Sequence, residues 1–204
     1  VKRRAVAVEM GGDWLKVAEN KSGAFGPGIG KLACLPVGEG NENLASAVQR
    51  AFRENGFSRG RVVVTLPRQL VTVRILNIPS TDSDEITRMV RLQAGRQTPY
   101  SKDEIVSAHR VIDTTPEGYS TVLLVIVRRP LIHERLDALK DAGLQAQQVA
   151  ISTEGIWNWF RNCLPGEDGT GREAVAFLDV DDRYSDLIVF RNGKLGFTRS
   201  ILIG

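Results

Sequence analysis

Two short loops in this chain combine residue types that bind phosphate groups and magnesium. Each follows an apolar run that ends in a carboxylate, which can position Mg²⁺ through water. Glycines next to the carboxylate let backbone N–H groups approach phosphate oxygens closely. The candidate residues are Glu9, Gly11, Gly12 and Lys16 in the first loop and Asp179, Asp181 and Ser185 in the second. The pattern makes ATP with Mg²⁺ one of two candidate answers for the cofactor, and no cofactor is the other.

The second loop departs from this chemistry. Asp181 and Asp182 stand where a phosphate loop needs a small residue. Two carboxylates repel a phosphate unless a metal ion lies between them. We interpret both aspartates first as solvated acids of a hairpin loop, and we expect at most weak ATP binding.

No other motif in the sequence supports catalysis, and we predict no catalytic residue. The glycine cluster at 23–30 precedes a strand rather than a helix, so it is not a Walker loop. Cys34 and Cys163 are far apart, as are His109 and His133, which predicts neither a disulfide framework nor a zinc site. The aromatic cluster of Trp157, Trp159 and Phe160 is typical of a core rather than of a ligand cage.

The two loops belong to two copies of one pattern. "AVAVEMGGDWLKVAENKSG" and "AVAFLDVDDRYSDLIVFRNG" both give an apolar strand, an acid, a tight polar loop, a second apolar strand and a turn. The first copy continues with a strand at 30–37, a helix from Leu44 to Gly56 and a strand at 61–66. The second copy predicts a type I′ turn at Asn192-Gly193 and a last strand, with no helix after it. We therefore expect a fragment that stops partway through a duplicated domain, a duplication that actin-like ATPases use to hold nucleotide phosphates.

A different pattern separates the copies. It predicts strand, helix, strand, strand, helix, strand, with an acid-opened helix after Pro79 and a second helix opened by Pro130 and ended by Gly143. A helix beginning at Ser152 or Thr153 and stopped by Pro165-Gly166 would return to cover the first sheet. The predicted divisions are 1–66 for the first domain, 67–151 for an inserted α+β domain, 152–170 for the returning helix and 171–204 for the start of the second domain.

Composition excludes several classes of protein. The 204 residues carry a net charge of +3, with 27 Lys and Arg interspersed among 24 Asp and Glu, which argues against a nucleic-acid-binding surface. No apolar run approaches the roughly 20 residues of a membrane-spanning helix, and we expect no signal peptide. We expect a cytoplasmic protein.

The middle of the chain resembles the type IV pilus assembly protein PilM family. The stretch "TLPRQLVTVRILNIPSTDSDEITRMVRLQAGRQTPYSKDEIVSAHRV" matches that family's inserted domain in the order of its features. The matching positions are Val73-Arg74-Ile75, Pro79, Asp84-Glu85 and Pro99-Tyr100. The resemblance, shared with the secretion protein GspL and the division protein FtsA, covers nearly the whole chain. It implies an α/β, actin-like (ribonuclease H-like) fold with an inserted α+β domain and the first strands of a second actin-like domain.

The resemblance also implies a function. A PilM-like protein is a scaffold on the cytoplasmic face of the inner membrane that binds the cytoplasmic tail of PilN in a groove between the first and inserted domains, and it links the pilus machinery to its motor ATPases. We expect the inserted domain itself to serve self-association. Arg74, Arg88 and Arg91 are the predicted partner-binding residues. Glu9 and Asp181 replace the family's usual Asp and Gly, and Leu92-Gln93 replaces a common Trp-Glu pair. These departures favour a GspL-like secretion component without nucleotide as the first alternative; an FtsA-like filament protein and an actin-fold small-molecule kinase are the others.

Overall fold

The computed structural model describes residues 4–23, 26–38, 43–163 and 174–203. The chain divides into two compact units, one formed by Val1–Pro67 with Pro130–Ser152 and the other by Arg68–Arg129 with Thr153–Gly204. None of the helices in the described ranges has the length and apolar composition of a bilayer-spanning segment. The predicted helix stop at Pro165-Gly166 lies outside these ranges.

The described ranges contain α-helices and β-strands that follow the predicted order closely. The strands are β1 (Ala5–Met10), β2 (Trp14–Gly23), β3 (Gly26–Pro36), β4 (Arg61–Leu66), β5 (Thr72–Ile78), β6 (Ile105–Thr114), β7 (Ser120–Arg128), β8 (Ala146–Ile151), β9 (Val175–Val180), β10 (Ser185–Arg191) and β11 (Lys194–Ile201). The helices are α1 (Leu44–Asn55), α2 (Ser83–Ala94), α3 (Arg129–Asp141) and α4 (Ser152–Cys163). Short 3₁₀ turns lie at Arg68–Leu70 and Lys102–Glu104.

The first unit is built on a five-stranded sheet with the order β3-β2-β1-β4-β8. β1 is antiparallel to β2 and parallel to β4, so the β1–β2 hairpin lies beside a parallel pair. Alternate valines of β1 and β4 are buried, and α1 contributes buried Val48 and Phe52. Asn43 caps α1 by accepting from the Ser46 amide, and Gly56 ends it with a left-handed φ of 59°.

The position of β8 corrects the predicted insertion of 67–151. β8 pairs in parallel with β4, from Val62 opposite Ala146 to Leu66 opposite Ile151, and so extends the first sheet. The preceding helix α3 belongs to the same unit, where buried Arg135 donates to the carbonyl of Met10. The segment between β4 and α3 that builds a separate sheet is therefore limited to β5, α2, β6 and β7.

This inserted module is a three-stranded antiparallel sheet covered by one helix. The strand order is β5-β7-β6, and α2 packs its buried Ile86, Val90 and Ala94 against Leu124 and Ile126 of β7. The Asp82 carboxylate accepts from the amides of residues 84 and 85 and caps α2. The predicted acidic start of the helix is thereby confirmed, in agreement with the helix dipole.

The C-terminal strands form a third sheet with the order β11-β10-β9. The predicted turn between β10 and β11 is confirmed, because Asn192 and Gly193 have φ values of 48° and 73°. We predicted that α4 covers the first sheet, but its aromatic residues lie against this third sheet instead. The rings of Phe160 and Phe190 stack with their centroids 4.5 Å apart. Phe177 of β9 meets both rings edge-on at 5.6 and 5.7 Å.

Replacing Phe160 with alanine should destabilise the unit that contains α4 by about 3–5 kcal/mol, because the change removes a fully buried ring and leaves a cavity against Phe190. Urea denaturation followed by fluorescence of the neighbouring Trp157 measures the loss. Asn158→Ala, at an exposed position of the same helix, is the matched control and should change stability little. Equal effects of the two substitutions would contradict the assigned packing of α4.

Candidate phosphate loops and a basic groove

The first candidate phosphate loop joins β1 to β2 in a tight turn. The Gly11 amide donates to the carbonyl of Trp14 at 3.0 Å, and a Cβ on Gly11 would lie 3.2 Å from that oxygen. A side chain at position 11 would therefore crowd the turn. A Cβ on Gly12 would meet no atom within 4 Å, so the space that a phosphate needs exists beside Gly12. Glu9 and Lys16 form an ion pair with 3.7 Å between Oε1 and Nζ.

Sequence reasoning missed a buried cation next to this loop. Arg135 of α3 is 7% exposed, and its Nε donates to the carbonyl of Met10, the last residue of β1. Its Nη1 donates to Glu134 at 2.9 Å and to the Leu131 carbonyl at 3.2 Å. Nothing in the sequence indicated that Arg135 binds the Met10 carbonyl. Arg135 lies on the buried side of α3, where the helical periodicity predicts an apolar residue.

The second candidate loop, between β9 and β10, is closed on itself. The Asp181 amide donates to the Tyr184 carbonyl at 2.9 Å, and the Asp182 amide donates to Oδ1 of Asp181 at 3.0 Å. The Ser185 hydroxyl donates to the carbonyl of Ile203 at 2.6 Å. The N–H and O–H groups that would face a phosphate are therefore already bonded within the protein.

A partly buried polar cluster lies on the same sheet as this loop. Asp186 of β10 sits directly opposite Asp179 of β9 and accepts a hydrogen bond from the Ser200 hydroxyl. Burial raises the pKa of Asp186, the Ser200 hydrogen bond and Arg68 oppose the rise, and Asp179 and Asp181 add to it. The carboxylates of this region thus repel one another.

Arg68 is the cation that faces this cluster. It is 8% exposed, donates from Nε and Nη2 to Thr198 of β11 at 3.3 Å, and donates from Nη1 to the Val71 carbonyl at 3.0 Å. Burial lowers the pKa of Arg68, and the charge of Asp186 opposes that change. Arg68 therefore binds the beginning of the inserted module to β11, a role that its sequence position did not indicate.

The two loops fit a bound nucleotide unequally. The first has a glycine with space beside it and a lysine nearby. Both loops bond one amide across the hairpin, but the second also bonds its Asp182 amide and Ser185 hydroxyl internally and has clustered carboxylates in place of a phosphate cradle. The second set of residues does not fit the phosphates of ATP with Mg²⁺.

Two of the three predicted partner-binding arginines lie together. Arg88 and Arg91 of α2 line an open groove of about 450 Å³ between the C-terminal half of α2 and the beginning of β6. Its lining is Arg88, Arg91, Leu92, Ala94, Gly95, Lys102, Ile105 and Ser107. Lys102 is a third cation that sequence reasoning missed, because it follows the helix in an irregular segment. We call this the α2–β6 groove.

Arg74, the third predicted arginine, lies elsewhere on the same module. It is exposed on β5, the strand at the opposite edge of the sheet from β6. Its Nε donates to Oε1 of Gln97 at 3.3 Å, and its Nη1 donates to the Val73 carbonyl. Arg74 does not line the α2–β6 groove.

Leu92 occupies the groove at the position where the sequence departs from the PilM pattern. Its side chain is 55% exposed, although leucine is among the residue types most often buried. Of the aromatic residues predicted to lie in a core, Trp157 and Phe160 are buried, whereas Trp159 is 49% exposed and the prediction is wrong for it. Trp157 donates from Nε1 to the Gly193 carbonyl and lies under the guanidinium of Arg110 at 4.9 Å.

Solved structures with similar folds define the class of this protein. A chain of the PilM–PilN type IV pilus biogenesis complex matches with a TM-score of 0.79 and 22% identity, over 97% of this chain and 61% of that one. The cytoplasmic domain of EpsL, an inner-membrane component of the type II secretion system of Vibrio cholerae, matches with a TM-score of 0.61 and 12% identity, over 98% and 71%. A Bacteroides thetaiotaomicron protein with an actin-like ATPase fold and unknown function matches at 0.58 and 10%, over 99% and 71%. The fold is actin-like, as the sequence predicted.

The sequence itself defines the family. The family model described as type IV pilus assembly protein PilM matches residues 38–204. This chain belongs to the PilM family. It spans about three fifths of the PilM–PilN complex chain that it resembles. No curated protein sequence matches it significantly.

Asp186→Asn should change the dependence of stability on pH. Because the pKa of Asp186 is raised in the folded protein, its contribution to stability falls as pH rises from about 4 through that raised pKa. The stability difference between variant and wild type should therefore shift in favour of the variant between pH 4 and pH 7. Urea denaturation at a series of pH values measures this shift, with Asp137→Asn at an exposed position as control. A difference that stays constant with pH would contradict the raised pKa.

Proposed function

We propose that this protein is an actin-like scaffold of a type IV pilus assembly platform and that it binds the cytoplasmic segment of a PilN-like membrane protein. Membership of the PilM family over residues 38–204 carries the proposal. The likeness to a chain of a PilM–PilN complex supports it through the fold. In this role the protein works through its surfaces, without a catalytic residue.

The α2–β6 groove is the partner site that we propose within the described residues. Arg88, Arg91 and Lys102 give it positive charge, and Leu92 and Ile105 give it an apolar floor. A mostly apolar concavity with a few charged groups is typical of sites that bind an extended ligand specifically. Arg74 lies outside this groove, so it would contact the partner only if the partner's cytoplasmic segment extended from the groove to β5.

The location and the wider connections follow from the same proposal. A scaffold that binds a cytoplasmic tail is itself cytoplasmic and lies peripherally at the inner membrane. Through the platform it would be linked indirectly to a motor ATPase. The inserted module is also the proposed surface for self-association, and no nucleic acid is an expected partner.

A GspL-like component of a type II secretion system is the second candidate. The closed β9–β10 loop favours it, because its amides are bonded within the protein and its carboxylates repel a phosphate. Capture of the natural full-length protein from gently solubilised inner membranes, with mass spectrometry of the bound proteins, separates the two. Pilus platform proteins would support the first candidate and secretion proteins the second; division proteins or no partner would overturn both.

The double substitution Arg88→Glu with Arg91→Glu should weaken binding of the captured partner's cytoplasmic segment at least tenfold, because it reverses the charge of one wall of the groove. Isothermal titration calorimetry measures the affinity. Arg53→Glu, on the exposed surface of α1, is the matched control and should leave it unchanged. Arg74→Glu serves as a third variant: unchanged affinity would remove Arg74 from the site, and unchanged affinity of the double variant would remove the groove.

Addition of ATP with Mg²⁺ should not raise the thermal unfolding temperature. A ligand at one hundred times its Kd stabilises the folded state by about 2.7 kcal/mol, which is readily seen as a shift in Tm. Scanning fluorimetry measures the Tm with ATP and Mg²⁺ each at ~5 mM, and the controls are ADP in place of ATP and buffer alone. A rise of several degrees specific to ATP would show that the chain binds nucleotide and would contradict this expectation. Phosphate transfer from ATP to a small alcohol would revive the kinase alternative.

A further inference from the structure

We propose that a cavity beside α4 binds one carboxylate that is carried on an aromatic or branched aliphatic body. The inference goes beyond the proposed function and does not depend on it, because this cavity shares no lining residue with the α2–β6 groove. Three observations carry it: an ordered cavity of ligand size, one cation in its wall without an acidic partner among the described residues, and an apolar wall beside that cation.

The cavity lies between α4, the end of β6 and the β10–β11 turn, and we call it the α4 cavity. Its volume is about 380 Å³. Its lining is Ile112 of β6, Trp157, Phe160 and Arg161 of α4, and Asn192, Gly193 and Lys194 at the turn. All of these residues belong to the unit formed by Arg68–Arg129 with Thr153–Gly204. Pockets that hold small ligands measure about 300–1,000 Å³ and combine apolar walls with a few polar groups. The α4 cavity therefore has the size and composition of a site for a small ligand.

Contacts within the protein hold the walls of the cavity in place. Trp157 donates from Nε1 to the Gly193 carbonyl at 3.3 Å, which ties α4 to the turn. Asn192 and Gly193 have the positive φ values of a type I′ turn. Lys194, the next residue, pairs with Asp113 of β6 with 2.5 Å between Nζ and Oδ1. Because these walls are already ordered, binding of a ligand would lose little conformational entropy.

The charges in the wall favour a ligand with one negative charge. Arg161 and Lys194 line the cavity, and no carboxylate is among its described lining residues. The hydrogen bond from Lys194 holds the pKa of Asp113 below its usual range, so this pair is ionised at neutral pH and its charges compensate each other. Arg161 is exposed, and within the described residues its guanidinium has only the ring of Trp157, at 5.9 Å, as a partner. One positive charge is therefore left for the ligand.

A carboxylate fits these groups better than a phosphate. The guanidinium of an arginine presents a fork of N–H donors that matches the two oxygens of a carboxylate. Asn192 also lines the cavity, and a side-chain amide can donate a further hydrogen bond. A phosphate carries more than one negative charge near neutral pH, and the second charge would find no free cation here, since Lys194 is paired with Asp113.

The apolar wall determines the body of the ligand. Ile112 is partly buried, and Trp157 and Phe160 are 4% and 2% exposed, so a ligand would meet small parts of side chains that are already packed. One aromatic or branched aliphatic group is enough to cover such a wall and to remove its own apolar surface from water. A free small acid and the carboxyl terminus of a peptide both provide a carboxylate on such a body.

Titration of the full chain with N-acetyl-phenylalanine, followed by NMR, tests the site. The matched control is the amide of the same compound, which lacks only the charge. The acid should bind saturably, at least tenfold more tightly than the amide, and more weakly as salt is added. It should also shift the indole N–H resonance of Trp157, which is the only tryptophan in the variant Trp14→Phe with Trp159→Phe. Equal binding of acid and amide, or an unchanged Trp157 resonance, would overturn the proposal.

Substitution of Arg161 tests the role of its charge. Arg161→Gln should weaken binding of the acid at least tenfold and abolish the difference between acid and amide, whereas Arg161→Lys should keep the preference for the acid. Because the side chain is exposed, neither variant should alter the fold. Arg53→Gln, on the exposed surface of α1, is the matched control and should bind as the wild type does. Wild-type affinity of Arg161→Gln for the acid would overturn the proposal.

Two further probes distinguish the sources of the carboxylate. 3-Phenylpropionate is a free acid without the acetamido group of a chain terminus, and a short alanine peptide that ends in phenylalanine has a true carboxyl terminus. Tighter binding of the peptide would support the end of a protein chain as the ligand, and tighter binding of 3-phenylpropionate would support a free small acid. Binding of neither compound would overturn the proposal.

Discussion

One aromatic contact determines how the second unit is built. Phe160 of α4 stacks on Phe190 of β10, and Phe177 closes the group from β9. A small sheet needs a packed apolar face to be stable, and these rings provide it by placing a helix on one face of the sheet. The same helix reaches the inserted module through Glu154, which pairs with Arg110, and through Trp157 beneath that arginine. The groove is therefore held on a module that is itself anchored by α4.

The family relationship and the loop chemistry point in different directions, and both are informative. An actin-like ATPase fold is the structural class of this chain. In this chain the β9–β10 loop uses its amides and its serine hydroxyl for internal hydrogen bonds. A fold therefore need not retain the chemistry of its class. What the inserted module presents instead is the cationic lining of the α2–β6 groove, formed by Arg88, Arg91 and Lys102, which suits the proposed role in binding.

Local features of the fold were predictable from sequence, and long-range ones were not. The Asn192-Gly193 turn, the Asp82 cap and the Gly56 stop each follow from the conformational preference of one or two residues. The pairing of β8 with β4 could not be predicted, because the sequence of β8 predicts a strand but does not indicate which of the sheets that strand joins. The covering position of α4 was missed for the same reason. In the groove, Arg88 and Arg91 could be identified by their helical spacing, but Lys102 is brought beside them only by the fold.

The parallel pairing of β4 with β8 has a consequence for the order in which the protein forms. β4 ends at Leu66 and β8 begins at Ala146, so about 80 residues separate the two strands. Because the ribosome adds about 5–20 residues per second, β8 is synthesised roughly 4–16 s after β4, and the outer edge of β4 has no strand to pair with during that time. During that time the hairpins of β1–β3 and the local contacts of β5–β7 can form, while β4 remains open to pairing with another nascent chain. The inserted module thus sets the timing of the first sheet's completion, and a chaperone that shields β4 would act within this interval.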